Sequence, residues 1–176
     1  AGGSAGGVSG ITVNLTDNST GLFSASTVTD ATGAYTFEGV SAGLDYTIEP
    51  DLESDQDRLR QAVNTTDAFR DFTAAIFSAP FEEPFQFIVG DANNSSSLNT
   101  TDAFTIFQFA IYQIEDFSDY GKDDWQFAET DYPLSDDNWQ DGPTSIELEN
   151  TGGDMGSLDF TAGLTGDANG SGAGLG

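Results

Sequence analysis

Residues 90–104 read GDANNSSSLNTTDAF, and the second half of that string returns as VNTTDAF at residues 63–69, without the GDAN that precedes it. The missing half stands alone near the carboxyl end, as GDANGSG at residues 166–172. The chain thus holds one continuous loop-and-helix unit and two separated halves of another. Aligning VNTTDAFRDFTAAIF (63–77) with LNTTDAFTIFQFAIY (98–112) gives nine identities in fifteen positions at a fixed offset of 35, which marks an internal repeat.

The continuous string has the donor order of a cation loop. A hard cation such as calcium takes about six to eight oxygens, and a short loop supplies them when donors turn inward at nearly every second residue. Asp91, Asn93 and Ser95 have that spacing. Ser97 adds its backbone carbonyl, Asn99 acts directly or through water, and Asp102 closes the loop as a bidentate carboxylate from the first helical turn. Only Asp91 and Asp102 are charged, which places the expected affinity near the ~10⁻⁴ to 10⁻³ M of extracellular modules and favours a structural site over a sensor. Ser96 occupies the sixth position, where the sharp turn favours Gly and a left-handed residue costs roughly 1–2 kcal/mol. An Asx-turn leading into an N-capped helix selects the same Asp, Asn and Ser.

Downstream of each NTTDAF the pattern turns helical, over 67–77 and 102–114, with Asp at each start in keeping with capping and dipole preferences. Phe104, Phe107, Ile111 and Ile114 fall on one stripe. Ile106 and Phe109 widen that apolar face, which implies burial on more than one side, with core packing expected over a partner interface.

Upstream, ITVNLTD (11–17), LFSASTV (22–28), AYTFEGV (34–40) and DYTIEP (45–50) are alternating or β-branched runs divided by turn-forming DNSTG, TDATG and SAGL. They predict a small antiparallel β-sandwich over 8–50, with an open edge to be covered by a strand from elsewhere. TSIELEN (144–150) and SLDFTAGL (157–164) read as two further strands, and 115–143 as a long ordered loop pinned by Trp125 and Trp139. The expected class is α+β. Residues 1–7 form a Gly/Ser connector, 8–50 the β-sandwich, 51–172 a helical calcium-binding domain with its loop and closing strands, and 173–176 a flexible tail.

Composition excludes several function classes. Fourteen Phe, five Tyr and two Trp supply core area despite the charge, so a folded chain is expected. Thirty Asp and Glu face only Arg58, Arg60, Arg70 and Lys122, and the net charge of -26 repels phosphate backbones and anionic lipid. Divalent cations or high salt relieve that repulsion, although an acidic surface also serves solubility alone. Cys and His are absent, which removes disulfides, thiolate zinc sites, thiol nucleophiles and imidazole bases. No Gly-rich phosphate loop opens a helix and nothing singles out a carboxylate pair, so no enzyme is expected. No apolar run approaches the roughly 18 residues of a membrane span. The start AGGSAGG lacks the basic region and apolar core of a signal peptide, so a mature or excised segment is expected.

The loop string and its repeat resemble the calcium loops of type I dockerins, D-x-N-x-[DS]-G-x-[VIL]-[NT]-x-x-D followed by a helix, across 63–77 and 90–114. The wider order is similar to modules of large secreted bacterial surface proteins: a carboxypeptidase-regulatory-like (transthyretin-like) β unit, a split dockerin-like pair, an acidic Trp loop and a closing GD-x-NG. That resemblance implies two calcium ions. The second would be held where the closing segment completes the truncated repeat, joining Asp167, Asn169 and Ser171 with the carbonyl of Ala62, Asn64 and Asp67, and placing Gly172 at the sixth position. Read by composition alone, GDANGSG is a flexible tail.

The Gly-rich termini and the open β edge, with the absence of catalytic groups, lead to the expectation of a non-catalytic extracellular structural protein, a calcium-stabilised block of a surface filament, fibre or adhesin. Subunits would join end to end, by strand addition or by completing a neighbour's loop, and such contacts propagate. The alternative is a docking module for a cohesin-like receptor, because Thr65-Thr66 and Thr100-Thr101 lie where dockerins place recognition residues. Against it, TAAIF (73–77) and QFAIY (108–112) replace that family's Lys/Arg pair. Sequons at Asn14 and Asn18 are candidate glycan acceptors in a secreted chain. An internal Lys–Asn isopeptide within 8–50 is excluded, since Lys122 is the only lysine.

Overall fold

Alternation of apolar and polar residues builds the first sheet. The computed structural model describes residues 7–51, 56–149 and 158–171. In chain order its elements are β1 (Thr12–Asp17), β2 (Leu22–Val28), β3 (Tyr46–Asp51), α1 (Gln56–Ala62), α2 (Thr65–Ala75), α3 (Phe85–Gly90), α4 (Thr100–Ala110), β4 (Trp125–Glu129), β5 (Ile146–Leu148) and β6 (Phe160–Leu164). The class is α+β, as expected, with antiparallel sheets of four and two strands.

The larger sheet has the order β2-β1-β3-β5. Opposite β1, Val13 meets Thr27 and Pro50, and Leu15 meets Ala25 and Ile48. Side chains at every second position therefore share a face. Ile11, Val13, Leu15, Tyr46, Ile48, Ile146 and Leu148 bury there as one core. The cover that the β3 edge required comes from β5, a hundred residues later, in the expected TSIELEN segment. On the polar face Thr47 Oγ1 donates to Glu147 Oε1 (2.9 Å) and Asn18 Nδ2 to Glu147 Oε2 (2.8 Å), which ties β5 to the β1–β3 pair by side chains as well.

Two expectations about strands need correction. AYTFEGV forms no strand: its alternation is real, but only as an extended segment whose Tyr35 and Phe37 lie half-buried against the sheet core, edge to face at 6.0 Å. Over 8–50 the strands β1, β2 and β3 belong to the one four-stranded sheet, and Tyr35 and Phe37 pack against its core. The predicted loop 115–143 contains β4, which pairs antiparallel with β6 in register Trp125 opposite Leu164 and Phe127 opposite Ala162. Trp125 and Trp139 are buried in it, as the loop reading required.

Helices α2 and α4 are the two halves of the repeat and pack against each other more extensively than any other helix pair. Both begin two residues before the expected Asp. Asn64 and Asn99 are the N-caps, and Asp67 and Asp102 sit at the third position of a capping box, accepting from the cap's own N–H. Sequence periodicity did not reveal α1 and α3, which are too short for an apolar face to repeat. Arg60 on α1 explains the former's place: its guanidinium donates to the carbonyls of Phe109 (2.6 Å), Ile114 and Glu115 (both 2.8 Å) and lies over the Phe109 ring. It thereby adds a second kind of donor to the Phe109 carbonyl, which also accepts from Tyr112 N, and supplies one to two carbonyls beyond the end of α4.

The stripe chosen on α4 faces the wrong way. Phe104, Phe107 and Ile111 are exposed, whereas Ala103, Ile106 and Phe109 are buried, and of the expected stripe only Ile114 packs on the core. Small Ala68 and Ala103 lie buried on the facing helices, so close approach of the backbones selects the core face over the size of the aromatic stripe. Phe109→Ala is expected to cost about 3–5 kcal/mol in chemical denaturation and Phe107→Ala under about 1 kcal/mol. Equal losses would contradict this assignment.

Candidate metal centre

Two loops with one hydrogen-bond pattern flank the α2–α4 pair. In the continuous loop Asp91 Oδ1 accepts from Ser95 N (2.8 Å) and Oδ2 from Ser96 N (3.0 Å), while Asp102 accepts from Asn93 N (3.2 Å) and Asn99 N (3.0 Å). Asn99 Nδ2 and Ser95 Oγ both reach the Ser97 carbonyl, at 2.8 and 3.1 Å. All six residues proposed from the sequence are thus gathered in one turn of chain.

The second loop is assembled from both ends of the repeat domain. Asp67 accepts from Asn64 N (2.9 Å) and from Asn169 N (3.2 Å), 102 residues away. Asp167 Oδ1 accepts from Ser171 N (3.0 Å), and Asn64 Nδ2 reaches the Ala62 carbonyl (3.1 Å). Each contact has its counterpart in the continuous loop, with Asp167 in the place of Asp91 and Asp67 in that of Asp102. The structure brings these residues together within a single chain, whereas Gly172 lies outside the described residues.

Local packing fixes the closing segment. Gly166 N donates to Val89 O (2.7 Å), Thr165 Oγ1 to Asp123 O (2.6 Å) and Gln86 Nε2 to Ala168 O (2.8 Å). Thr165, Asp167 and Ala168 are buried, and Ala168 packs with Ala74 and Phe81. Through Ser171, GDANGSG is therefore ordered chain rather than a tail.

The donor chemistry fits a hard cation. Among the described residues no three acidic side chains converge closely enough to hold a metal alone. Each loop offers two carboxylates supplemented by neutral amide, hydroxyl and carbonyl oxygens, the mixture calcium accepts. Asn93 Oδ1 is buried with no hydrogen-bond donor among the described residues, an orphan acceptor at a position expected from the sequence to be a ligand. Ser96 has φ 59° and Asn94 φ 55°, so the tight turn is made at the sixth position without glycine.

Two charged residues near the continuous loop escaped sequence reading. Asp71 on α2 is fully buried, and among the described residues neither of its oxygens has a hydrogen-bond partner. Burial, with Asp102 and Asp91 nearby, raises its pKa to about 8. Lys122 is also buried, and burial lowers its pKa against the opposing pull of Asp91, Asp102 and Asp123. Burial likewise lifts Asp102 to about 6, against the backbone N–H groups it accepts from, and raises Asp67, with Asp167 adding to the effect. A signal for Asp71 did exist: the repeat alignment sets it opposite apolar Ile106.

Residues 2–73 match the family model of the SdrD B-like domain, a β domain of bacterial surface proteins. The match spans β1 to β3, α1 and most of α2, and ends before the continuous loop. No curated protein and no solved structure matches the chain. The β unit is therefore similar to a non-enzymatic structural domain of the bacterial cell surface. Among the described residues no helix is long and apolar enough to cross a membrane.

A pH dependence follows from the raised carboxyls. Asp67, Asp71 and Asp102 hold protons more tightly folded than unfolded, so between an ordinary carboxylate value of about 4 and about 8 folding takes up protons and stability falls as pH rises. In chelator, the thermal midpoint should decline across that window, and should still do so in about 1 M salt, where general repulsion is screened. A midpoint that rises with pH over the same range would contradict it.

Proposed function

We propose that the chain is a calcium-locked structural module of a bacterial surface protein, in which a dockerin-like pair of loops holds two calcium ions and no chemistry is catalysed. The Asn169–Asp67 hydrogen bond, which repeats the Asn93–Asp102 contact across a gap of 102 residues, carries the reading. Asp91, Asn93, Ser95, Ser97, Asn99 and Asp102 would hold one ion. Asp67, Asp167, Asn169, Ser171, Asn64 and the Ala62 carbonyl would hold the other. Calcium supplies positive charge where buried carboxylates repel each other, and by binding only the folded form it stabilises that form.

Such a module suits end-to-end assembly outside the cell, where calcium is abundant enough for weak sites. Pairing of Asp167 with Asp67 inside one chain favours strand addition over exchange of loop halves between neighbours. The edge that would accept a neighbour's strand is β2, the outer strand of the larger sheet, where Leu22 and Val28 are exposed. Of the two proposed glycan acceptors, Asn18 already donates to Glu147, and Asn14 lies half-buried in a central strand.

One observation favours docking to a cohesin-like receptor as a second reading. Phe69, Phe72, Ile76 and Phe77 on the first repeat are exposed, and so are Phe104, Phe107, Ile111 and Tyr112 at the same offset of 35 on the second. Phe77 and Tyr112 have φ 58° and 62°, an unfavourable conformation for bulky residues just past a helix end, where glycine is usual. An exposed apolar surface duplicated with strained aromatics fits a binding face.

Calorimetry on the wild-type chain should resolve two calcium events. Asp91→Ala should remove one, and deletion of residues 166–176 the other. Ordered polymers seen by electron microscopy should dissociate in chelator. Two calcium events in the truncated chain would refute the composite loop. For the second reading, Phe77→Gly with Tyr112→Gly should raise stability by about 1–2 kcal/mol while abolishing binding to a type I cohesin. Unchanged cohesin binding would contradict that reading.

A further inference from the structure

We infer that Asp71, carried by the helix of the first repeat, is a positioning and charge-supplying residue of the second repeat's cation site, acting on the ion bound by residues 91–102 from behind the loop. The inference rests on the calcium reading of that loop and extends it to a residue outside the loop's own sequence.

Location is the first argument. A Cβ built on Gly90 would stand 2.6 Å from Asp71 Oδ1, so this carboxylate lies against the backbone that leads directly into Asp91. The acidic groups that act on it are Asp102 and Asp91, both of the continuous loop. Although Asp71 is only one helical turn beyond Asp67, neither Asp67 nor Asp167 is among its perturbing neighbours.

Internal symmetry supplies the second argument. Gly166 precedes the closing loop segment as Gly90 precedes the continuous one, and a Cβ on Gly166 would lie 3.5 Å from Ile106 Cγ1. Ile106 is the repeat counterpart of Asp71. The same niche is therefore backed by an isoleucine behind one loop and a carboxylate behind the other. Packing alone is satisfied by isoleucine there. A fully buried carboxylate with two unpartnered oxygens is costly unless positive charge comes near it. Asn93 Oδ1, a second orphan acceptor from a different element, belongs to the same loop.

Lys122 supplies a third argument, from charge. Its buried ammonium acts on both Asp91 and Asp102. Asp91 and Asp102 set against Lys122 leave one negative charge. Asp71, which a bound cation would keep ionised, restores two. Asp71 is not hydrogen-bonded to Lys122, since neither of its oxygens has a hydrogen-bond partner among the described residues, and the acids that act on the lysine are Asp91, Asp102 and Asp123. Because no three acids converge to ligate a metal directly, Asp71 acts at one remove rather than as a further direct ligand.

Calcium calorimetry on the full chain tests this. The event belonging to the continuous loop is the one lost in Asp91→Ala. Asp71→Asn should weaken that event about tenfold and leave the other unchanged, because charge count sets affinity in such loops. Asp71→Ile, which copies the other repeat, should do the same while raising the thermal midpoint in chelator. Adding Lys122→Met to Asp71→Asn should restore the affinity to within about threefold of wild type, a charge rescue that a packing role would not produce. Unchanged affinity in both Asp71 variants, or weakening of the composite event instead, overturns the inference while leaving the calcium reading intact. A wild-type chain that binds no calcium overturns both.

Discussion

A buried carboxylate that takes its hydrogen bond from an amide 102 residues away is the constraint around which the rest of the molecule is arranged. Asp67 is fully buried at the start of α2, with Asp167 beside it raising its pKa further. To bring Asn169 and Asp167 there, the chain must return from β6, and the return is secured by Gly166 on Val89, Thr165 on Asp123 and Gln86 on Ala168. Segments distant in sequence thus meet at one helix terminus. Loop closure over such a length costs only slightly more entropy than over a shorter one, since the cost grows logarithmically with length.

The same connectivity joins the β unit to the helices. β5 leaves the acidic Trp-containing segment to cover the β3 edge, and β6 follows it to pair with β4 and deliver the closing loop. Phe127 packs against both main cores, and the core of the helical part includes Trp125 and Leu164 from the smaller sheet. A change at the closing segment is consequently felt at the α2–α4 pair, which carries the duplicated aromatic surface. Structural locking and any surface recognition would then be linked, because the loops set the position of the helices that present those aromatics.

Local chemistry was legible in the sequence. The Asn-Thr-Thr-Asp strings state both capping boxes, and the Asp-x-Asn-x-Ser spacing states the loop, because these contacts involve residues a few positions apart. Even the splice was readable, since a Gly-rich tail has no reason to repeat Asp, Asn and Ser at alternate positions. What depended on packing was not. The aromatic stripe of α4 outranks Ala103, Ile106 and Phe109 in size, but the approach of α2 through Ala68 decides which face is covered. AYTFEGV alternates like a strand and yet finds no ladder, while WQFAE inside an apparent loop finds one in β6. Asp71 and Lys122 carry no motif, and their meaning appears only when the second loop is seen beside them.

The central claim is that the two loops are equivalent in build and that the second closes within one chain. Amide hydrogen exchange at Asn169, followed in the presence of calcium over a wide range of protein concentration, tests it most directly. Closure within the chain predicts protection comparable to that of Asn93 and independent of dilution. Rapid exchange at Asn169, or protection that disappears as the protein is diluted, would contradict the account.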